Sequence, residues 1–382
     1  MSLGGGRESN RAADGLRAVE EFWKVKLPDT FRNLYLHYTQ PFIAPCEFFT
    51  LEGIASGAGR SYGLLPQFVP FGRAVGEGGL YGFYITPDTV RGYWPILYWN
   101  EDEQCLRPAA SDIDAFLRNC MLVARYETET EGDLDDDPAS LFDNDEQRAV
   151  FRTLLLGTES ISEAQIFGVL PRNDTELHEL LLRLDPTDAS SLCYLGCVRR
   201  ARGDLQRALD FFHRAVEVTP WFGDSSYLLA DTYRELEDNG RAILGWWSVV
   251  KSLLPLCTRT WEWDLGAEHP EADIYEVAAD ALRQFEPEVG FDIKSSSLWR
   301  VVVRDDPYDP DVRENYADAL LAGDDLDGAE REYLNALSLS SSEKRAQPAR
   351  IYAALVDIYE RQGRFRDASF ARFDSKLPRS AQ

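Results

Sequence analysis

The sequence predicts two architectures in one chain. An α+β domain, mostly antiparallel sheet with flanking helices, comes first, and an all-α solenoid of helical hairpins follows it. Three observations carry this. The first third of the chain passes from helical spacing to short β-type runs and back to helical spacing. The second half repeats a pattern of apolar and small residues with a period of about 34 residues. Between the two lies a stretch, residues 126–147, with ten acidic side chains and no basic one.

In the first part, Ala13–Lys24 sets Leu16, Val19, Phe22 and Trp23 at helical spacing. After Lys26-Leu27-Pro28-Asp29 a second helix, Thr30–Tyr38, turns Phe31, Leu34 and Tyr35 inward. Strand-like runs follow at Phe48–Leu51, Tyr81–Ile85 and Ile96–Trp99, punctuated by glycine and proline. A closing helix spans about Asp112 to Val123, with Ile113, Phe116, Leu117 and Cys120 on one face. Helix–helix–sheet–helix is the order of an α+β domain, placed at residues 11–125. Residues 1–10 have no signal-peptide pattern and read as a flexible end. Residues 126–147 read as an acidic linker, self-repelling and poor in apolar side chains.

The repeat half occupies residues 148–382. Its clearest unit has Leu192, Leu195 and Gly196, then Ala208, Phe212, Ala215 and Pro220. The apolar residues form one stripe of a first helix, here helix A. Gly196 and Ala208 let helices A and B approach, and Pro220 ends helix B. This is the spacing of a tetratricopeptide repeat. A second unit has Leu229, Ala230 and Tyr233, then Ala242 and Trp246, with Pro255 after it. A third has Tyr316, Ala317 and Leu320, then Ala329, Tyr333 and Ala336; a fourth has Tyr352, Leu355 and Tyr359, then Gly363 and Ala368. Thr175–Leu184 reads as helix B of a degenerate earlier unit. Ile274–Phe285 and Ser297–Arg304 are candidate helices of a poorly matched one, after an insertion that holds Trp261 and Trp263.

Solenoids of this kind bind other chains on their concave face. In tetratricopeptide proteins, positions 2, 5, 9 and 12 of helix A face that surface. Here they supply Asp224 and Asp311 at position 2, Glu314 at position 5, and Asp231, Asp318 and Asp357 at position 9. The chaperone-binding members use a Lys/Asn/Arg carboxylate clamp, but this chain has Cys193 and Cys197 where Lys and Asn would sit. An acidic groove suits a basic or Arg-rich segment by charge complementarity. Alternatively, these carboxylates only keep the solenoid soluble.

The first domain resembles the SUKH superfamily. Lys26-Leu27-Pro28-Asp29-Thr30-Phe31-Arg32-Asn33-Leu34-Tyr35 is similar to its opening LP-x-x-[YF]-x-x-[FL] signature. Pro95-Ile96-Leu97-Tyr98-Trp99-Asn100-Glu101-Asp102 resembles its late strand and acidic turn, and Ser111–Leu117 its final helix. Where the family places Asn-Gly after the second helix, this chain has Thr39-Gln40-Pro41. The superfamily includes fungal cell-wall-synthesis regulators and bacterial toxin-immunity proteins, so the resemblance implies a non-catalytic, protein-binding module. Tyr93, Trp94 and Trp99 are its candidate anchors, since Trp and Tyr often supply binding hot spots; core packing is the competing role for them.

Composition narrows the function classes. The net charge is −25, which argues against nucleic acid as the main ligand. Arg outnumbers Lys 34 to 6, a bias of the kind a GC-rich bacterial genome imposes. No apolar run reaches the roughly 18 residues of a membrane span. Six scattered cysteines make no disulfide framework, which together with the missing leader points to the cytoplasm. Gly57–Gly63 and Gly76–Gly82 miss the dinucleotide fingerprint by one residue and read as turns. Cys193 and Cys197 share a helix face, but no second Cys or His pair completes a zinc site. His37, His178, His213 and His269 fall in separate segments, and no nucleophile motif accompanies them. The expectation is a protein that is not an enzyme, needs no cofactor or metal, and acts by stoichiometric binding. A bacterial immunity protein that covers a toxin's active site is the leading reading. The alternative is a scaffold or regulatory adaptor that assembles a multiprotein complex through its repeats. The oligomeric state is open.

Overall fold

A computed structural model of the chain describes residues 5–37, 41–43, 45–60, 64–76, 78–86, 94–131, 171–257, 273–285, 308–339 and 348–377. Tyr93, His269, Trp261 and Trp263, the expected helix Ser297–Arg304 and most of the acidic linker lie outside them. Backbone contacts divide the chain into two compact units. The first comprises Met1–Gly59, Phe68–Glu101 and Pro108–Ser191; the second comprises Arg60–Gln67, Asp102–Arg107 and Leu192–Gln382.

The first unit opens with helices α1, Gly5–Trp23, and α2, Asp29–His37. The turn between them explains the Lys-Leu-Pro-Asp motif. Lys24 takes a left-handed φ of 50°, Leu27 is buried, and its N–H donates to Glu20 Oε1 at 3.0 Å. Glu20 also pairs with Arg32, so one carboxylate ties the end of α1 to the body of α2. The sheet that follows is an antiparallel meander of six strands in sequence order. They are β1 Phe42–Ile43, β2 Cys46–Phe48, β3 Phe68–Ala74, β4 Leu80–Tyr84, β5 Ile96–Asn100 and β6 Cys105–Ala110. Phe68 faces Tyr84 across β3 and β4, and Leu80 faces Trp99 across β4 and β5.

Several elements differ from the expectation, and α1 already begins at Gly5, inside the stretch that reads as a flexible end. β3 contains Pro70 and Gly72, which read as loop residues; Pro70 faces Gly82 and Gly72 faces Tyr81, and the register shifts between them in a bulge at Phe71. β6 contains Pro108 and was likewise unpredicted. The strand expected at Phe48–Leu51 ends at Phe48. Thr50 then caps a short helix, α3, Leu51–Ala55, by accepting from the Gly53 N–H at 3.1 Å. Helix α4 runs from Ile113 to Glu131, so helical structure extends into the acidic stretch. Rings from these elements meet in one core: Phe31 lies 5.6 Å from Phe71 and 5.2 Å from Phe83, and Phe116 closes on Phe71 at 5.7 Å. Helix α5, Asp174–Leu184, capped by Asn173, also belongs to this unit.

The second unit is built from helical hairpins. Helix α6, Ala189–Ala201, begins just before the unit boundary and pairs with α7, Leu205–Val218. Next come α8, Gly223–Glu235, with α9, Asn239–Val250, then a 3₁₀ turn at Leu254–Leu256 and α10, Ile274–Phe285. The last two hairpins are α11, Pro310–Ala322, with α12, Leu326–Ser338, and α13, Pro348–Arg361, with α14, Phe365–Asp374. Gly196 packs against the Phe212 ring so closely that a Cβ would stand 2.4 Å from it, which is why this position takes glycine. The A-to-B turns share one design. Gly203, Glu237, Asp324 and Gly363 each adopt positive φ, and the next residue starts helix B. In three hairpins that next residue is Asp204, Asp238 or Asp325, whose carboxylate accepts from a backbone N–H of the first turn. In the fourth it is Arg364, which makes no side-chain cap.

Candidate partner-binding surfaces

The A helices of the hairpins are cross-linked by ion pairs one repeat apart. Arg200 of α6 reaches both Asp231 and Glu235 of α8, and Arg234 adds a second cation to Asp231 at 2.5 Å. Arg350 of α13 reaches back to α11. Its Nε donates to Glu314 Oε1 at 2.7 Å and its Nη1 to Asp318 Oδ2 at 2.9 Å. Arg361 pairs with Asp324 and lies 3.6 Å from Asp357. Tyr333 donates its hydroxyl to Asp318.

Of the six expected groove carboxylates, these pairs take up Asp231, Glu314, Asp318 and Asp357. Asp224 is fully buried in α8. Asp231 and Glu314 are buried and ion-paired, and Asp318 is half-exposed and shared between Arg350 and Tyr333. Asp311 and Asp357 are exposed. The helix A face is therefore a ladder of alternating charge, with Arg200, Arg350 and Arg361 as its rungs. Sequence reading found the acids and missed the arginines. The signal was there: each rung joins residues 31 to 37 apart, about one repeat.

In the first unit, Trp94 and Trp99 are buried, with Trp94 edge-on to Phe83 at 5.4 Å. Their apolar surface is spent on the core. Tyr81 and Tyr98, register partners across β4 and β5, are the half-buried aromatic pair, with ring centres 5.2 Å apart. By strand alternation both share the sheet face of Phe83 and Ile96, and Tyr81 lies 5.0 Å from the core ring of Phe116.

The six cysteines are free and buried. Burial pushes the Cys105 thiol up to about 12, far from the thiolate a nucleophile needs. Cys193 Sγ lies 3.6 Å from Ser225 Oγ, and among the described residues no group of three or more His, Cys, Asp or Glu side chains is disposed to hold a metal ion. His213 Nε2 sits 2.6 Å from the Tyr233 hydroxyl, and His178 Nδ1 sits 3.0 Å from Ser191 Oγ. No helix among the described residues is long and apolar enough to cross a membrane.

Residues 12–119 match the model of the SMI1 / KNR4 family (SUKH-1). That range includes Arg60–Gln67 and Asp102–Arg107, which group with the second unit. No curated protein matches the chain. Among solved structures it is similar to the crystal structure of YrrB, described as a TPR protein with an unusual peptide-binding site. The identity is 15% and the TM-score 0.24, over 53% of this chain and 91% of that one. It is also similar to the crystal structure of the APC/C hetero-tetramer Cut9-Hcn1, at 15% identity and a TM-score of 0.24, over 68% of this chain and 52% of that one. Residues 12–119 thus match the SUKH-1 family model, and helical hairpins with a shared turn design make up the later part of the described chain.

Proposed function

We propose that this chain is a non-catalytic protein-binding protein that holds a basic partner segment against the helix A face. The observation that supports this is the charge ladder. Asp318 and Asp357 are exposed enough to change partners, and arginines of the chain itself occupy them. A basic segment would displace Arg350 and Arg361, so recognition is an exchange of ion pairs. The SUKH-1 match favours an immunity protein that neutralises a toxin domain by stoichiometric binding. In such a cell the protein works in the cytoplasm. The scaffold reading shares the same surface and differs in the number of partners.

Affinity capture from the host lysate, with the full chain and with Asp231→Asn/Asp318→Asn/Asp357→Asn, tests this. The expected outcome is one basic partner in a 1:1 complex, lost with the triple variant. Several partners, lost together, would favour the scaffold. Capture that survives the triple variant and needs the SUKH-1 domain would refute the ladder as the binding site.

A further inference from the structure

The second unit contains a segment remote in sequence from its helices, Arg60–Gln67. Its two ends are held by side chains of the last hairpins. Arg60 meets Asp374 of α14 as a fork: Nε donates to Oδ1 at 2.8 Å and Nη2 to Oδ2, with both side chains fully buried. The guanidinium also lies 5.7 Å from the Phe370 ring centre. Gln67, also buried, donates from Nε2 to Glu330 Oε1 of α12 at 3.2 Å and to the Tyr359 hydroxyl of α13 at 3.4 Å. Leu64 and Leu65 are buried between these anchors. A forked arginine, a dileucine and a terminal amide read by three helices make up the chemistry of peptide recognition.

Two further observations mark this place as a site. The hairpin cap rule breaks here: Arg364 stands where the other three have Asp. Its guanidinium serves Glu330 at 2.5 Å and Asp367 at 2.9 Å and stacks on Tyr359 at 4.6 Å. A helix cap has been given up to hold the carboxylate that Gln67 contacts. The fit is also incomplete, because the buried Gln67 Oε1 has no hydrogen-bond partner among the described residues. Burial raises the carboxyl groups of both Asp374 and Glu330, and a guanidinium pulls against that rise in each case. An acid so placed favours an arginine ligand strongly.

We propose that α12, α13 and α14 form a peptide site filled in cis by Arg60 and Leu64–Gln67. A partner segment with the same chemistry, an arginine and, four residues on, Leu-Leu-Pro and a hydrogen-bonding side chain, competes for it. This goes beyond the ladder reading and uses different residues, so either can fail alone.

The test uses the full-length protein and a labelled peptide with the sequence of residues 57–69. Arg60→Ala empties the arginine subsite and is expected to bind the peptide at least tenfold more tightly than the wild type. Adding Asp374→Asn is expected to abolish the gain, as is replacing the peptide's arginine by alanine. Circular dichroism establishes that the variants are folded. Hydrogen exchange on the wild type needs no variant: roughly 1 mM unlabelled peptide is expected to speed exchange at Leu64–Gln67. A folded Arg60→Ala protein that binds no better than the wild type overturns the proposal. So does exchange at Leu64–Gln67 that the peptide leaves unchanged.

Discussion

Glu237 and Asp324 occupy the turn position that glycine holds in the first and fourth hairpins, with φ of 60° and 65° against 76° and 72° at Gly203 and Gly363. A side chain in the left-handed region costs about 1 kcal/mol or somewhat more, and less for Asp than for Glu. Glu237→Gly is expected to raise stability by about 1 kcal/mol, and Gly203→Ala to lower it by a similar amount. Urea denaturation of the full chain reads both. A second residue-scale device is Asp188. It caps α6 through the Ser191 N–H at 2.8 Å and takes the Asn119 amide at 3.1 Å. Burial, above all, raises its carboxyl from the ordinary range to about 7. A raised folded value means stability that is full below the unfolded value near 4 and is lost as pH climbs through 7. His178 runs the other way: burial depresses it to about 4, so its contribution is full above the ordinary histidine value near 6.5 and is lost on acidification towards 4. The two slopes oppose each other between those limits. Asp188→Asn removes one of them, and Asn119, whose buried Oδ1 has no partner among the described residues, can turn to accept from the new amide. The variant is expected to gain on the order of 2 kcal/mol over the wild type at pH 7.5 and little at pH 5. Equal gains at both pH values would remove Asp188 from the account.

At the scale of elements, the ladder links hairpins that chain connectivity leaves to apolar packing alone. Arg350 is about half exposed, so its pairs are screened, but Glu314 is buried and loses its counter-charge if Arg350 is removed. A double-mutant cycle of Arg350→Gln with Glu314→Gln is expected to show a coupling of about 1 kcal/mol, reduced in high salt. What was legible in the sequence follows from the same physics. The hairpins were legible because Gly196, Ala208, Phe212 and Ala215 each have a steric duty at fixed spacing. Ala13–Lys24 and Thr30–Tyr38 were legible because one helix face is apolar. β3 and β6 were not, because Pro70, Gly72 and Pro108 are loop residues by propensity, and only the bulge and the neighbouring strands make room for them. Of the candidate site, the carboxylates were legible and their pairing was not. A count of Asp and Glu carries no information on which arginines lie one repeat away.

At the scale of the whole molecule, a net charge of −25 coexists with a helix A face on which Asp231, Glu314 and Asp318 are neutralised from within. On the proposed reading the excess charge steers basic partners towards that face, while the ladder decides what is held. Partner affinity should therefore depend on the arginines in the opposite sense to the aspartates. The most direct measurement is calorimetric titration of the captured partner into the wild type, Arg350→Gln and Asp318→Asn. The ladder account expects Arg350→Gln, which removes the internal competitor, to bind more tightly than the wild type, and Asp318→Asn to bind more weakly. Equal affinity for all three, or weaker binding by Arg350→Gln, would contradict it.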